Sequence, residues 1–170
     1  MQTKGTTLIE LVVTLAIVAI LAMTAVPAFT TLIKQHAIHS AGRDLHRAFN
    51  TTRATAIMRQ RPVALSNLDG NWSNGMAIFL DDNSNGSLDK GEEVLRRFNG
   101  LGRVSATGNY WVSDYALFHS DGSAKAASGA FQAGTVSVCK TNVENGYKLV
   151  LSIGGRVRLE KTHFGSCPGK

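Results

Sequence analysis

Two cysteines are all that this 170-residue chain contains, and no third or fourth thiol exists to build a zinc site. In an oxidising compartment a disulfide between Cys139 and Cys167 is the default, adding about 2–4 kcal/mol. It would pin the C-terminus to an inner strand. A glycine-rich phosphate loop is absent too, so the chain is not a P-loop ATPase. Residues of catalytic type occur in unhelpful places. His119-Ser120-Asp121 are consecutive and cannot converge on one reaction centre. His36 and His39 stand three apart on an expected helix with no third ligand. The expectation is therefore a protein without enzymatic activity. Repeats and low-complexity tracts are missing. Acidic residues are few: 12 Asp and Glu face 18 Lys and Arg, for a formal charge of +6. Such a balance favours polyanions or acidic partners, and serves simple solubility equally well.

What is abundant is apolar length. From Leu8 to Val26 the chain reads LIELVVTLAIVAILAMTAV, with Glu10 as its one charge. An ionisable group in a membrane-length segment is costly and signals a pairing or a mechanism. An ordinary secretory signal has a longer basic region and no acid in its apolar core. In the first helical turn a carboxylate also offsets the helix dipole. A signal anchor with a chance acid is the bland alternative. The run is preceded by Gly5-Thr6-Thr7, and Pro27 follows it. This arrangement resembles the class III leader of type IV pilins and pseudopilins. The resemblance implies cleavage by a prepilin peptidase after Gly5, and N-methylation of the new terminus at Thr6. It departs from the family pattern at Thr6 itself, where phenylalanine is usual. It also implies residence in the inner membrane before assembly with other pilins. Glu10 would set axial register by neutralising a neighbour's free Thr6 ammonium, since a paired charge in lipid costs far less than a lone one.

Beyond Pro27 the helical pattern resumes. Phe29, Leu32, Ile33, Ala37, Ala41, Leu45, Ala48, Phe49, Thr52 and Ala56 draw one stripe at three- and four-residue spacing. Arg43, Arg47, Arg53 and Arg59 lie mostly off it. The spacing predicts one helix over residues 6–58, kinked or locally melted at Pro27 but not ended there. Arg61-Pro62 stops it. Strands are expected at 63–65, 72–80, 94–98, 115–119, 135–140, 147–153 and 157–161. Turns are expected at Asn83-Ser84-Asn85-Gly86, Asp121-Gly122, Asn145-Gly146 and Gly154-Gly155. Ala124–Gly134, small and polar, reads as a mobile loop. The fold class is α+β: a long N-terminal helix, half membrane-spanning and half amphipathic, packed on an antiparallel β-sheet domain. In domain terms this means a leader over 1–5, an apolar helix over 6–27 and a globular domain over 28–170.

Trp72–Phe98 reads WSNGMAIFLDDNSNGSLDKGEEVLRRF. With the N-terminal segment, this W-x-x-G, acidic turn and short V-L-R strand resemble the GspH/FimT branch of pseudopilins. The same turn matches a calcium loop by position, with oxygen ligands at Asp81, Asn83, Asn85, Ser87, Asp89 and Glu92 and the sharp turn at Gly86. Leu88 sits where such loops point an apolar residue inwards. Flanking strands replace the helices of an EF-hand, and a polar hairpin loop is the alternative reading.

Near the C-terminus, Gly155-Arg156-Val157-Arg158 resembles the G-R-x-R element of FimT-type minor pilins, which implies DNA binding in natural transformation. The alternating faces of the flanking strands require an odd loop, satisfied by a three-residue turn over 154–156. Leu149, Leu151 and Ile153 would then share the core face with Val157 and Leu159. Arg156 would stand at the tip and Arg158 on the outward face, with Lys148, Lys161 and Lys170 widening the basic surface. Such contacts would read backbone phosphates and not sequence. Glu160 shares the outward parity of Arg158 and opposes the idea. No base-stacking platform is evident, although His163 and Phe164 lie nearby. The resemblance allows two roles: a tip-located DNA receptor, or a structural subunit of a pilus or type II secretion system whose partners are other minor pilins.

Overall fold

The computed structural model describes residues 7–168, so Gly5, Thr6 and Lys170 lie outside the described residues. Helix α1, Leu8–Arg59, runs through Pro27 without ending there. Thr7 opens it, its hydroxyl accepting a bond from the Glu10 N–H at 3.4 Å, which supplies one of the orphan donors of the first turn. The chain divides into two compact units, one ending at Lys34 and the other beginning at Gln35.

In the first unit the large apolar side chains from Leu8 to Ile33 that are described are all exposed, from 49% at Val13 to 82% at Leu8. This stretch is long and apolar enough to cross a membrane.

The second unit contains two antiparallel four-stranded sheets. Strands β1 (Val63–Asn67), β2 (Gly75–Leu80), β3 (Val94–Asn99) and β5 (Tyr115–Phe118) form the first, in the order β3-β2-β1-β5. Strands β4 (Ser105–Gly108), β6 (Gly134–Lys140), β7 (Val143–Leu151) and β8 (Val157–His163) form the second, in the order β4-β6-β7-β8. Between β4 and β5 lies a 3-10 turn, Tyr110–Val112. The stripe on α1 holds within this unit: Ala41, Leu45, Ala48, Phe49, Thr52 and Ala56 are buried. Except for Thr52, these residues and Ile38 meet Trp72, Met76, Ile78, Val136, Val138, Leu149 and Leu151 in one core. Each large side chain so buried is worth roughly 1.5–3 kcal/mol. Trp72 is central: its ring stands 5.5 Å from that of Phe49, and its Nε1 donates to the Val112 carbonyl at 2.9 Å.

Four expectations change. Trp72 precedes its strand, which begins at Gly75, where φ of 132° turns the chain into β2. Strand β4 was not foreseen, because S-A-T-G has no apolar alternation to announce it. Asn145-Gly146 lies inside β7, and the turn is Thr141-Asn142, with Asn142 at φ 62°. Gly146 is needed for a different reason, since a Cβ there would come within 2.7 Å of the Phe164 ring. Ala124–Gly134 is not a loose loop. It folds back through bridges Phe118↔Ala124 and Lys125↔Phe131, with Ala124 and Gln132 fully buried.

Candidate functional site

The β7–β8 hairpin is tighter than its sequence suggests. Leu151 pairs with Val157, Ser152 N donates to the Arg156 carbonyl at 3.0 Å, and Gly155 N donates to the Ser152 carbonyl at 2.8 Å. The three-residue turn is therefore 153–155, one position earlier than expected. Parity is kept, so Leu149, Leu151 and Val157 stay buried, but Ile153 leaves the core and is 57% exposed. The cause is Gly155, which takes φ 73° and lies so close to the Gly122 carbonyl that any Cβ would collide with it.

A residue that the sequence reading set aside locks this contact. Arg53 of α1 donates from Nε to Gly122 O at 2.9 Å and from Nη2 to Gly154 O at 3.2 Å. One guanidinium thus ties the helix to a turn of each sheet. Its place off the apolar stripe was the one available signal, and that signal also fits any solvated arginine.

Register decides which cations meet. Arg158 lies opposite Val150, and Lys148 opposite Glu160, on the outward face of the second sheet. Arg158 Nη2 is 3.3 Å from Glu160 Oε1, as the shared parity suggested. The Lys148 ammonium stands 5.8 Å from the centre of the Phe164 ring. Lys161 pairs with Tyr147 and therefore belongs to the opposite face. It is not brought to Arg158 and Lys148, because side chains alternate along a strand. Arg156 follows the turn and keeps the parity of Arg158.

Cys139 and Cys167 are joined, with Cα atoms 5.6 Å apart. The bond carries the C-terminal tail back onto β6, an inner strand of its sheet. Phe164 N donates to Glu144 O at 2.7 Å, and Thr107 Oγ1 donates to Pro168 O at 3.2 Å.

The acidic loop, where the calcium ligand set is expected, is held by hydrogen bonds among its own residues. Among the described residues no three His, Cys, Asp or Glu gather closely enough to hold a metal ion. The six residues serve the loop itself. Asp81, fully buried, accepts the N–H groups of Asn85 at 3.1 Å and Gly86 at 2.7 Å. Asn83 and Asn85 accept from the N–H two residues on, that of Asn85 at 3.1 Å and of Ser87 at 2.7 Å, and donate their amides to Asp89 Oδ2. Glu92 accepts from Asp89 N at 2.9 Å. Desolvation by burial pushes the Asp81 carboxyl above its ordinary value, against the pull of these N–H donors. The two amides beside Asp89 hold its carboxyl below. Leu88 does point inwards, where with Val94 and Tyr115 it covers Ala64, Ala77, Phe79 and Leu117. The loop thereby buries a second apolar face of the first sheet.

The family described as type II transport protein GspH matches residues 41–155. The chain belongs to this GspH family. Its fold is that of the minor pilins: a crystal structure of the Pseudomonas aeruginosa type IV minor pilin FimU covers 81% of this chain and 99% of its own, at 22% identity and a TM-score of 0.64. A second crystal form of FimU gives 24% identity and a TM-score of 0.61 over 76% of this chain and 99% of its own. The Vibrio cholerae type II secretion pseudopilin EpsH superposes at 0.50 with 10% identity, over 79% of this chain and 98% of its own. No curated protein sequence matches. As a GspH-family chain with this fold, the protein is a minor pilin or pseudopilin of a type IV pilus or type II secretion system. The family match ends one residue before Arg156, so the hairpin arginines stand on their own geometry.

Proposed function

We propose that the chain is a filament-tip minor pilin that binds DNA backbone through Arg156, Arg158 and Lys148. The supporting observation is the braced hairpin: Arg53 and the Gly122–Gly155 contact hold two arginines outward, where a flexible tip would spend entropy on every phosphate bound. Before assembly the subunit resides in the inner membrane through the apolar part of α1, with its globular unit in the periplasm. Prepilin peptidase cleaves after Gly5, Thr6 becomes the methylated terminus, and Glu10 sets register against a neighbouring pilin. Replacing Gly5 is expected to leave an uncut, slower-migrating precursor, and normal processing would end that part of the proposal. Replacing Glu10 is expected to lower incorporation into filaments in competition with wild type.

DNA binding is tested with the full chain in detergent micelles, titrated with salt beside Arg156→Gln/Arg158→Gln. A steep negative salt slope that the double variant flattens supports the proposal, and no binding at low salt refutes it. The Arg158–Glu160 pair favours a second reading, a structural or priming subunit whose partners are other minor pilins. Failure to bind DNA alongside co-purification with other minor pilins would establish it.

A further inference from the structure

Two neighbouring aromatic side chains stand in the open on the turn that follows β4: Tyr110 is 83% exposed and Trp111 47%. Tyr110 and Trp111 meet edge to face, ring centres 5.2 Å apart. The backbone beneath them is braced from inside. Gln132, fully buried, donates from Nε2 to Trp111 O at 2.7 Å and to Tyr115 O at 3.0 Å, and accepts the Leu117 N–H at Oε1. Asn109 holds the other side, donating from N to Thr135 O at 2.9 Å and accepting the Thr135 N–H at Oδ1. The buried amide thus ties the turn that bears the exposed rings to strand β5, which preorganises the rings for contact.

The sheet register connects this surface to the arginine hairpin. Arg158 lies opposite Val150, Val150 opposite Thr135, and Thr135 is bonded to Asn109, the residue before Tyr110. One row thus crosses from β8 to the aromatic turn, about 14 Å at the usual strand spacing. The four residues of the row carry no carboxylate themselves, and Glu160, the acid beside Arg158 on this face, is paired with it. We propose that the protein takes single-stranded DNA along this row, with phosphates at Arg156 and Arg158 and unpaired bases stacked on Tyr110 and Trp111.

The inference rests on the DNA reading above and adds the class of DNA. A duplex keeps its bases stacked on one another, whereas a single strand offers their faces to protein rings. The nearest acid in sequence to the turn is Asp114, which accepts from Ser113 Oγ at 2.8 Å. A carboxylate there disfavours phosphate and leaves base faces as the better match. Continuity with the cationic hairpin along one row favours nucleic acid over a protein partner.

Trp111 supplies the readout, because the other tryptophan, Trp72, is fully buried. The full chain in detergent micelles is titrated with a short oligothymidine and with a duplex of equal length. The single strand is expected to bind more tightly and to quench Trp111 emission. Trp111→Ala is expected to weaken single-strand binding about tenfold with the salt slope unchanged, and Trp111→Phe to restore most of it. Equal binding of strand and duplex, with Trp111→Ala silent on both, overturns the platform while leaving the hairpin reading intact. If Trp111→Ala leaves DNA binding unchanged but prevents filament incorporation, the rings belong to a protein partner and the proposal falls. If neither oligonucleotide binds, the hairpin reading fails and takes the platform with it.

Discussion

Gly155 and Arg53 show how much a single position decides in this chain. Gly155→Ala places a methyl group against the Gly122 carbonyl at a left-handed φ, with no room for the hairpin to relax. We expect a loss of about 2 kcal/mol or more, read by thermal or urea unfolding. His119 gives the second test at this scale. Burial, reinforced by the Lys125 charge, lowers its pKa below 6.5, with Asp121 and Asp81 opposing. A histidine depressed on folding contributes stability that is present above its unfolded pKa and lost as pH falls through the folded value. Stability is therefore expected to decline as the pH drops below about 6.5, and His119→Gln to flatten that decline in urea titrations. Asp81 has the opposite sign. Its raised pKa makes folding less favourable as pH rises from 3.8 through the folded value, so Asp81→Asn is expected to remove that slope in urea titrations.

At the scale of elements, the helix was legible and the connections were not. The stripe Ala41–Ala56 follows from a period of 3.6 residues that no tertiary contact needs to specify. The segment 124–134 is the converse case. Its small polar residues suggest looseness, yet Gln132 spends its whole side-chain amide on backbone groups far along the chain, which no local pattern announces. Gln132→Leu leaves the Leu117 N–H and the Trp111 and Tyr115 carbonyls without this partner. We expect about 2–3 kcal/mol of destabilisation and altered Trp111 emission. The disulfide acts at this scale too. Cys139→Ser/Cys167→Ser is expected to cost about 2–4 kcal/mol and to free the tail from β6, giving faster proteolysis after Phe164.

Across the whole molecule the two units differ in what they need from outside. The core from Ile38 to Val157 lies entirely within Gln35–Lys170. That unit expressed alone is expected to be soluble and to melt cooperatively, as differential scanning calorimetry would show. The full chain, with Leu8–Ile33 uncovered, is expected to require detergent and to associate when it is withdrawn.

The sequence by itself determined the long helix, its apolar first half, the α+β class, the cysteine pair and the family resemblance. All of these rest on periodicity, composition or short motifs, and such signals are local. Tertiary structure alone decided that Lys161 faces away from Arg158, because strand pairing assigns faces only once the register is set. It decided that Asp81 accepts the N–H groups of Asn85 and Gly86 and that Leu88 seals an apolar face, because these contacts depend on how the loop folds back on the sheet. It placed the arginine hairpin and the aromatic turn on one row of one sheet, because contacts between residues so far apart in sequence exist only after the chain has folded.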